Sequence, residues 1–362
     1  MWRLRVVRPA FPAAVLGLLL STVLLAQSAP VSSPIATPPL ATAQASPAIP
    51  LNPIEELREL ALQATPPVES GTFHKPLLLE LGTGKDDPIH LDIHYATANN
   101  FLGTPVYTQA RAFLQLPAAM ALQRVAAKLK KQGYGLVVFD GYRPWFVTKI
   151  FWDATPPALH EYVADPSEGS RHNRGCAVDL SLYDLKTGQP VSMPSGYDEM
   201  TERAHSNYAG GTEEEREHRK ILREAMLSEG FEPIPNEWWH YDYREWREYP
   251  VLNLDFDRLP LVYHVGGNVT PPKVIKRAEP SFTDEARHKI GKHLYSDNVL
   301  LTAVITAEGK IEVLYLDRSL GMGLDQAAIE ATKKWEMAPA TRNGVPVPVL
   351  VKMEINFKMT RD

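Results

Sequence analysis

Two short stretches, far apart in the chain, constrain it more than anything else does. Residues 170–179 read Ser-Arg-His-Asn-Arg-Gly-Cys-Ala-Val-Asp, and residues 236–240 read Asn-Glu-Trp-Trp-His. They carry two histidines and a carboxylate, His172, Asp179 and His240, with Glu237 three residues before the second histidine. Zinc accepts imidazole nitrogen and carboxylate oxygen, and a catalytic site keeps a fourth position for water. These residues make such a set only if the fold brings the two segments side by side, with the rest as scaffold. Spacing alone does not decide: Glu-x-x-His arises often by chance, and Trp238 and Trp239 fit a plain core as well.

At 362 residues the chain is long enough for two folded units. Its 44% hydrophobic and 22% charged residues are those of a globular protein, and a net charge of −5 gives no reason to expect nucleic acid. Cys176 is the single cysteine, so no intramolecular disulfide supports the fold. Arg3, Arg5 and Arg8 precede an apolar run over 11–26, and Ala26-Gln27-Ser28 supplies small residues after it. Residues 1–28 therefore read as a secretory signal peptide, and the expected location is the periplasm. No later segment is apolar enough to span a membrane. Residues 29–53, rich in Pro, Ala and Ser, read as an extended linker. Order is expected from a short helix at 54–60.

Residues 89–95 alternate as a half-buried strand would, with His90, Asp92 and His94 on what reads as a solvated face. A helix opens at Leu116-Pro117, with Leu122, Val125 and Leu129 as its apolar stripe and Gly133 as its stop. Residues 136–139 form a buried strand that ends in Asp140-Gly141-Tyr142-Arg143-Pro144-Trp145. In the next strand Val178, Leu180 and Leu182 share one face, which aims Asp179 away from the apolar layer. A charged helix follows over 213–229, with Ile221, Leu222, Ala225 and Met226 inward. If the ligands hold a metal, Glu237 is placed to move the proton of the attacking water. Arg143 is the best upstream donor for an oxyanion.

The 140–145 and 170–179 segments and Glu237-Trp238-Trp239-His240 resemble the zinc D-alanyl-D-alanine dipeptidases, the VanX-type family. The resemblance runs through Tyr95-Ala96-Thr97, residues 193–200 and Trp246-Arg247-Glu248-Tyr249-Pro250, with order and spacing kept over roughly 75–255. It implies an α+β fold, an antiparallel sheet with flanking helices, and one zinc ion held by His172, Asp179 and His240. Glu237 would be general base and acid, and Arg143 the transition-state stabiliser. Ser170 would contact the substrate and Asp198 would receive its ammonium, with Asp184 or Asp140 as alternatives for that last role. The implied reaction splits free D-Ala-D-Ala. Rival readings are a murein carboxypeptidase or endopeptidase acting on longer peptides, and a non-catalytic wall- or partner-binding protein.

After residue 268 the character changes. Thr283 caps a helix start, residues 299–305 and 311–316 make a hairpin around Glu308-Gly309, and an amphipathic helix runs over 324–335. A final strand is expected over 347–357, after the turn at Asn343-Gly344. This order, with residues 311–319, Gly323-Leu324-Asp325, Lys334-Trp335, Pro339-Ala340-Thr341 and residues 344–347, resembles the C-terminal domain of TonB-type energy transducers. The expected division is a dipeptidase domain at 54–260 and a small α+β TonB-like domain at 269–362. The resemblance implies a protein partner bound by strand addition.

Overall fold

Asp179 lies on the central strand of a five-stranded sheet. The computed structural model describes residues 53–84, 87–291 and 293–359. The signal-peptide reading of 1–28 and nearly all of the linker lie outside the described residues. In chain order the first part runs α1 (Ile54–Gln63), β1 (Leu78–Glu80), β2 (Ile89–Leu91), β3 (Phe113–Gln115), α2 (Leu116–Lys130) and β4 (Tyr134–Asp140). It continues through α3 (Trp145–Ala154), β5 (Ala177–Asp184), α4 (Glu213–Leu227), β6 (Phe231–Pro233), β7 (His240–Tyr243) and β8 (Leu261–His264). The central sheet has the order β2-β4-β5-β7-β6, antiparallel except for the β2–β4 pair.

Register does the positioning. Asp179 on β5 pairs with His240 on β7 on one side and with Asp140 on β4 on the other. Directly opposed residues on one sheet face bring their side chains into contact range. The β4–β5 ladder slips between Val138 and Asp140, so the strand ends displaced where its loop begins. The apolar face of β5 is Val178, Leu180 and Leu182, all buried, as alternation predicts. Its other face is not solvated, because Asp179 and Ser181 are buried too.

The helices follow their stripes. Leu122, Val125 and Leu129 of α2 are buried, and Pro117 sits in its first turn. Thr212 and Glu215 form a reciprocal capping box at the start of α4. Leu222, Ala225 and Met226 of α4 face inward with His218, while Ile221 is only partly covered. The strand expected over 89–95 stops at Leu91 and is followed by a 3-10 turn, His94–Ala96. His94 pairs with Asp92 at 3.2 Å, whereas His90 stacks on Tyr183. The three polar residues therefore do not form one face.

The C-terminal part contains β9 (Lys273–Lys276), α5 (Asp284–Ile290), β10 (Tyr295–Ile305), β11 (Ile311–Arg318) and α6 (Leu324–Thr332). It ends in β12 (Glu336–Ala338), β13 (Ala340–Arg342), β14 (Val345–Val347) and β15 (Val349–Met359). Thr283 caps α5 by accepting from the Ala286 amide. The single final strand expected here is interrupted at Pro348, whose carbonyl accepts from the Tyr263 amide at 3.0 Å. Proline offers no ladder N–H, so it falls at the break. The two parts are joined through one six-stranded sheet, β11-β10-β15-β8-β1-β3, in which β8 pairs in parallel with both β1 and β15. Arg124 of α2 strengthens the junction by lying over Tyr315 of β11 while pairing with Glu229. No helix among the described residues is long and apolar enough to cross a membrane.

Candidate metal and active site

The loop after β4 is shaped by Gly141. A Cβ there would come within 2.7 Å of the Phe113 carbonyl, so only glycine lets the chain pass this close. The Gly141 carbonyl then accepts from Nδ1 of His172 at 2.7 Å. His172 opens a 3-10 turn, His172–Arg174, which closes on Gly175 at φ 67°. The turn is held by Ser170, whose Oγ accepts from the His172 amide, and by Asn173, whose side chain donates to the Arg143 carbonyl and to Thr148.

Three side chains converge inside this frame. Oδ1 of Asp179 lies 3.1 Å from Nδ1 of His240 and 3.3 Å from Nε2 of His172, and the two nitrogens are 3.1 Å apart. Those edges correspond to one face of a tetrahedron with bonds of about 1.9–2.0 Å, close to the lengths of zinc–imidazole coordination. The tautomers agree. Nδ1 of His172 faces a carbonyl and Nε2 of His240 faces Oδ1 of Asp242 at 2.8 Å, so both of those nitrogens carry the proton. The remaining nitrogens turn their lone pairs toward Asp179 Oδ1, a fully buried atom without a hydrogen-bond donor. Two lone pairs and an orphaned carboxylate oxygen make a poor core and a good cation site. Burial opposes positive charge on the His240 ring, yet Asp242 and Asp179 pull its pKa well above the usual range, and the same negative surroundings favour a cation at its Nδ1.

Around the triad the charges are dense. Oε2 of Glu237 is 3.7 Å from Nδ1 of His240, with 17% of its side chain exposed toward the cavity. Burial, helped by Asp179, pushes Glu237 up to about 7. Arg143 is buried and committed to Asp140 through Nε at 2.9 Å and Nη2 at 2.8 Å, with Asp179 at 3.8 Å. Tyr197 donates to the other Asp179 oxygen at 3.1 Å. Asp198 stands at φ 58°, unusual for a non-glycine residue, and accepts from the Tyr95 hydroxyl, which lies 2.9 and 3.1 Å from its two oxygens. Burial, and after it Asp179, raises Asp198 well above the ordinary carboxylate range.

One cavity of about 230 Å³ collects these groups, lined among others by Arg143, Ser170, the triad, Asp198 and Glu237. Of the three carboxylates weighed for an ammonium, Asp198 alone lines it. Asp140 is buried against Arg143 and Tyr107, and Asp184 is spent on backbone amides of an exposed turn. Cys176 is buried, its thiol raised by burial, and lies off the cavity lining. Sequence reasoning missed Asp242, Tyr197 and Tyr95. Asp242 had a signal, since it follows His240 by two on a strand and so shares its face.

Asp242 fixes the ring of His240, a member of the candidate triad, so Asp242→Ala is expected to weaken metal binding about 10- to 100-fold. Competition with a chromophoric chelator measures it, and an unchanged affinity would remove Asp242 from that role.

A buried triad of two histidines and one carboxylate, with a glutamate beside it and a small cavity in front, defines a hydrolase of the metallopeptidase class. Residues 85–256 match the peptidase M15 family, described as D-ala-D-ala dipeptidase, and residues 278–359 match the Gram-negative bacterial TonB protein C-terminal family. A D-alanyl-D-alanine dipeptidase of Escherichia coli (strain K12) is 35% identical over 168 residues, 46% of this chain and 86% of its own length. One of Enterococcus faecium is 37% identical over 203 residues, 49% of this chain and 98% of its own. Another, of Enterococcus faecalis (strain ATCC 700802 / V583), is 37% identical over 174 residues, 42% of this chain and 85% of its own. The chain belongs to the D-Ala-D-Ala dipeptidase family and is a peptidase that also carries a TonB-like C-terminal region.

Proposed function

We propose that this protein is a zinc dipeptidase that hydrolyses D-Ala-D-Ala to two D-alanines. The observation that carries the reading is that the triad, Glu237 and Asp198 all face one cavity of about 230 Å³. That is below the usual range of about 300–1,000 Å³ for drug-sized ligands, which favours a dipeptide over a longer wall peptide. His172, Asp179 and His240 would hold the zinc ion. When bound, zinc supplies Lewis-acid activation of water near neutral pH.

The chain's own residues do the rest. Asp198 receives the dipeptide's ammonium, its carboxylate aimed by Tyr95. Ser170 lies on the cavity wall and contacts the substrate backbone. Glu237 takes the proton of the attacking water and returns it to the leaving amine. Arg143, kept charged against Asp140, stabilises the oxyanion. Residues 1–28 would direct export to the periplasm and 29–53 would be a linker. The peptidase domain would occupy 54–260, and 269–362 the TonB-like domain, which would bind a protein partner by strand addition.

The test joins metal analysis to turnover. We expect one zinc per chain, rapid cleavage of D-Ala-D-Ala and little cleavage of a muropeptide ending in the same pair. Comparable rates on both would overturn the dipeptide specificity. Full activity after exhaustive chelation would overturn the metal role.

A further inference from the structure

Of the cations that line the active cavity, Arg143 turns its Nε and Nη2 to Asp140 and already has the oxyanion role. Arg171 is placed differently. It lines the same cavity with 44% of its side chain exposed. Its Nε faces Oδ2 of Asp242 at 3.4 Å, and its guanidinium lies 4.7 Å above the ring of Trp246. Asp242 and Trp246 thus hold the base of the guanidinium. Among the described residues neither Nη1 nor Nη2 donates to a protein acceptor. A preoriented fork with free donors at a cavity wall suits a planar carboxylate.

We propose that Arg171 receives the carboxylate terminus of the dipeptide, an inference that rests on the dipeptidase reading above. The arrangement then has opposite charges for the two ends of a zwitterion. Asp198 takes the ammonium, Arg171 takes the carboxylate, and the triad with Glu237 lies along the same cavity. A substrate extended beyond its second residue would carry its carboxylate away from Arg171 and leave the fork unpaired. Gripping both termini selects for length as well as for charge. Asp242 also gains a second task. One of its oxygens fixes the His240 ring and the other fixes the arginine, so one carboxylate ties carboxylate recognition to the ligand set.

The experiment compares D-Ala-D-Ala with its C-terminal amide, which keeps the ammonium and the scissile bond but lacks the carboxylate. Steady-state kinetics are measured on the zinc-loaded wild type, Arg171→Ala and Arg171→Lys. A charge-assisted contact of this kind accounts for about a 10- to 100-fold preference, so the acid-over-amide ratio of kcat/KM should fall by that factor in Arg171→Ala. The change should sit mainly in KM, and Arg171→Lys should recover part of it. Metal analysis of each variant separates this from an indirect effect through Asp242 and His240, because zinc should remain at one per chain. An acid-over-amide ratio that Arg171→Ala leaves unchanged overturns the inference. So does a loss shared equally by acid and amide, or a loss that tracks missing zinc. Should zinc-loaded wild type cleave neither compound, the dipeptidase reading falls and the inference falls with it.

Discussion

Replacing Glu237 by glutamine is expected to lower kcat on D-Ala-D-Ala by about 10²- to 10⁴-fold, the usual contribution of a positioned acid–base group. Zinc content should stay at one ion per chain. The substitution preserves volume and shape, and the segment is pinned independently of the carboxylate. The Trp238 amide donates to the Ala204 carbonyl at 2.8 Å, its indole N–H donates to Ser195 at 2.8 Å, and both Trp238 and Trp239 are buried. Glutamine would therefore occupy the same position beside His240, able to donate or accept a hydrogen bond but not to carry a proton between water and amine. Binding should change far less than turnover, so the loss should appear in kcat with KM within a few-fold. A variant that keeps more than a tenth of wild-type kcat while fully metallated would assign the proton transfer to another group.

The same segment shows how much of the molecule was legible in the sequence. The apolar stripes of α2 and α4 and the alternation along β5 could be read directly, because one face of each is packed. The site residues were named from motif order, and the register of β5 against β7 explains why so distant a pair as Asp179 and His240 belongs together. What stayed hidden depended on tertiary pairing. The change of character after residue 268 marks a second module, and the short β8 joins it to β1 in a common sheet, by parallel pairings that no local pattern announces. The alternation of 89–95 was real, but His94 and Asp92 bond each other in a turn that ends the strand. Tyr197 and Tyr95 stand in motif segments, but their roles stayed hidden because hydroxyls that support carboxylates from distant loops leave no periodic trace. Arg171 lay in plain view inside the motif, and only the fold shows that it lines the cavity.

Removing Asp179 should have the other large effect. In Asp179→Ala we expect metal content to fall well below one ion per chain and dipeptide turnover to drop to the buffer rate. The reason is the charge arrangement as much as the lost ligand atom. Asp140, Asp179, Asp198 and Glu237 crowd one buried region, and the guanidinium of Arg143 is already committed to Asp140. A dication offsets that crowding, and Asp179 is the one anionic ligand in the triad that could hold it. His172 and His240 would still present two neutral nitrogens, a pair without the charge or the third vertex to retain zinc against a competing chelator. Because a ligand that binds only the folded state stabilises it by mass action, zinc at about 100 times its Kd should add about 2.7 kcal/mol to the wild type. Thermal melts with and without zinc should therefore separate for the wild type and coincide for the variant. Retention of stoichiometric zinc and of the zinc-dependent melting shift in Asp179→Ala would place the metal elsewhere. Loss of both, with secondary structure intact by circular dichroism, would locate metal binding at the strand pair where Asp179 and His240 face each other.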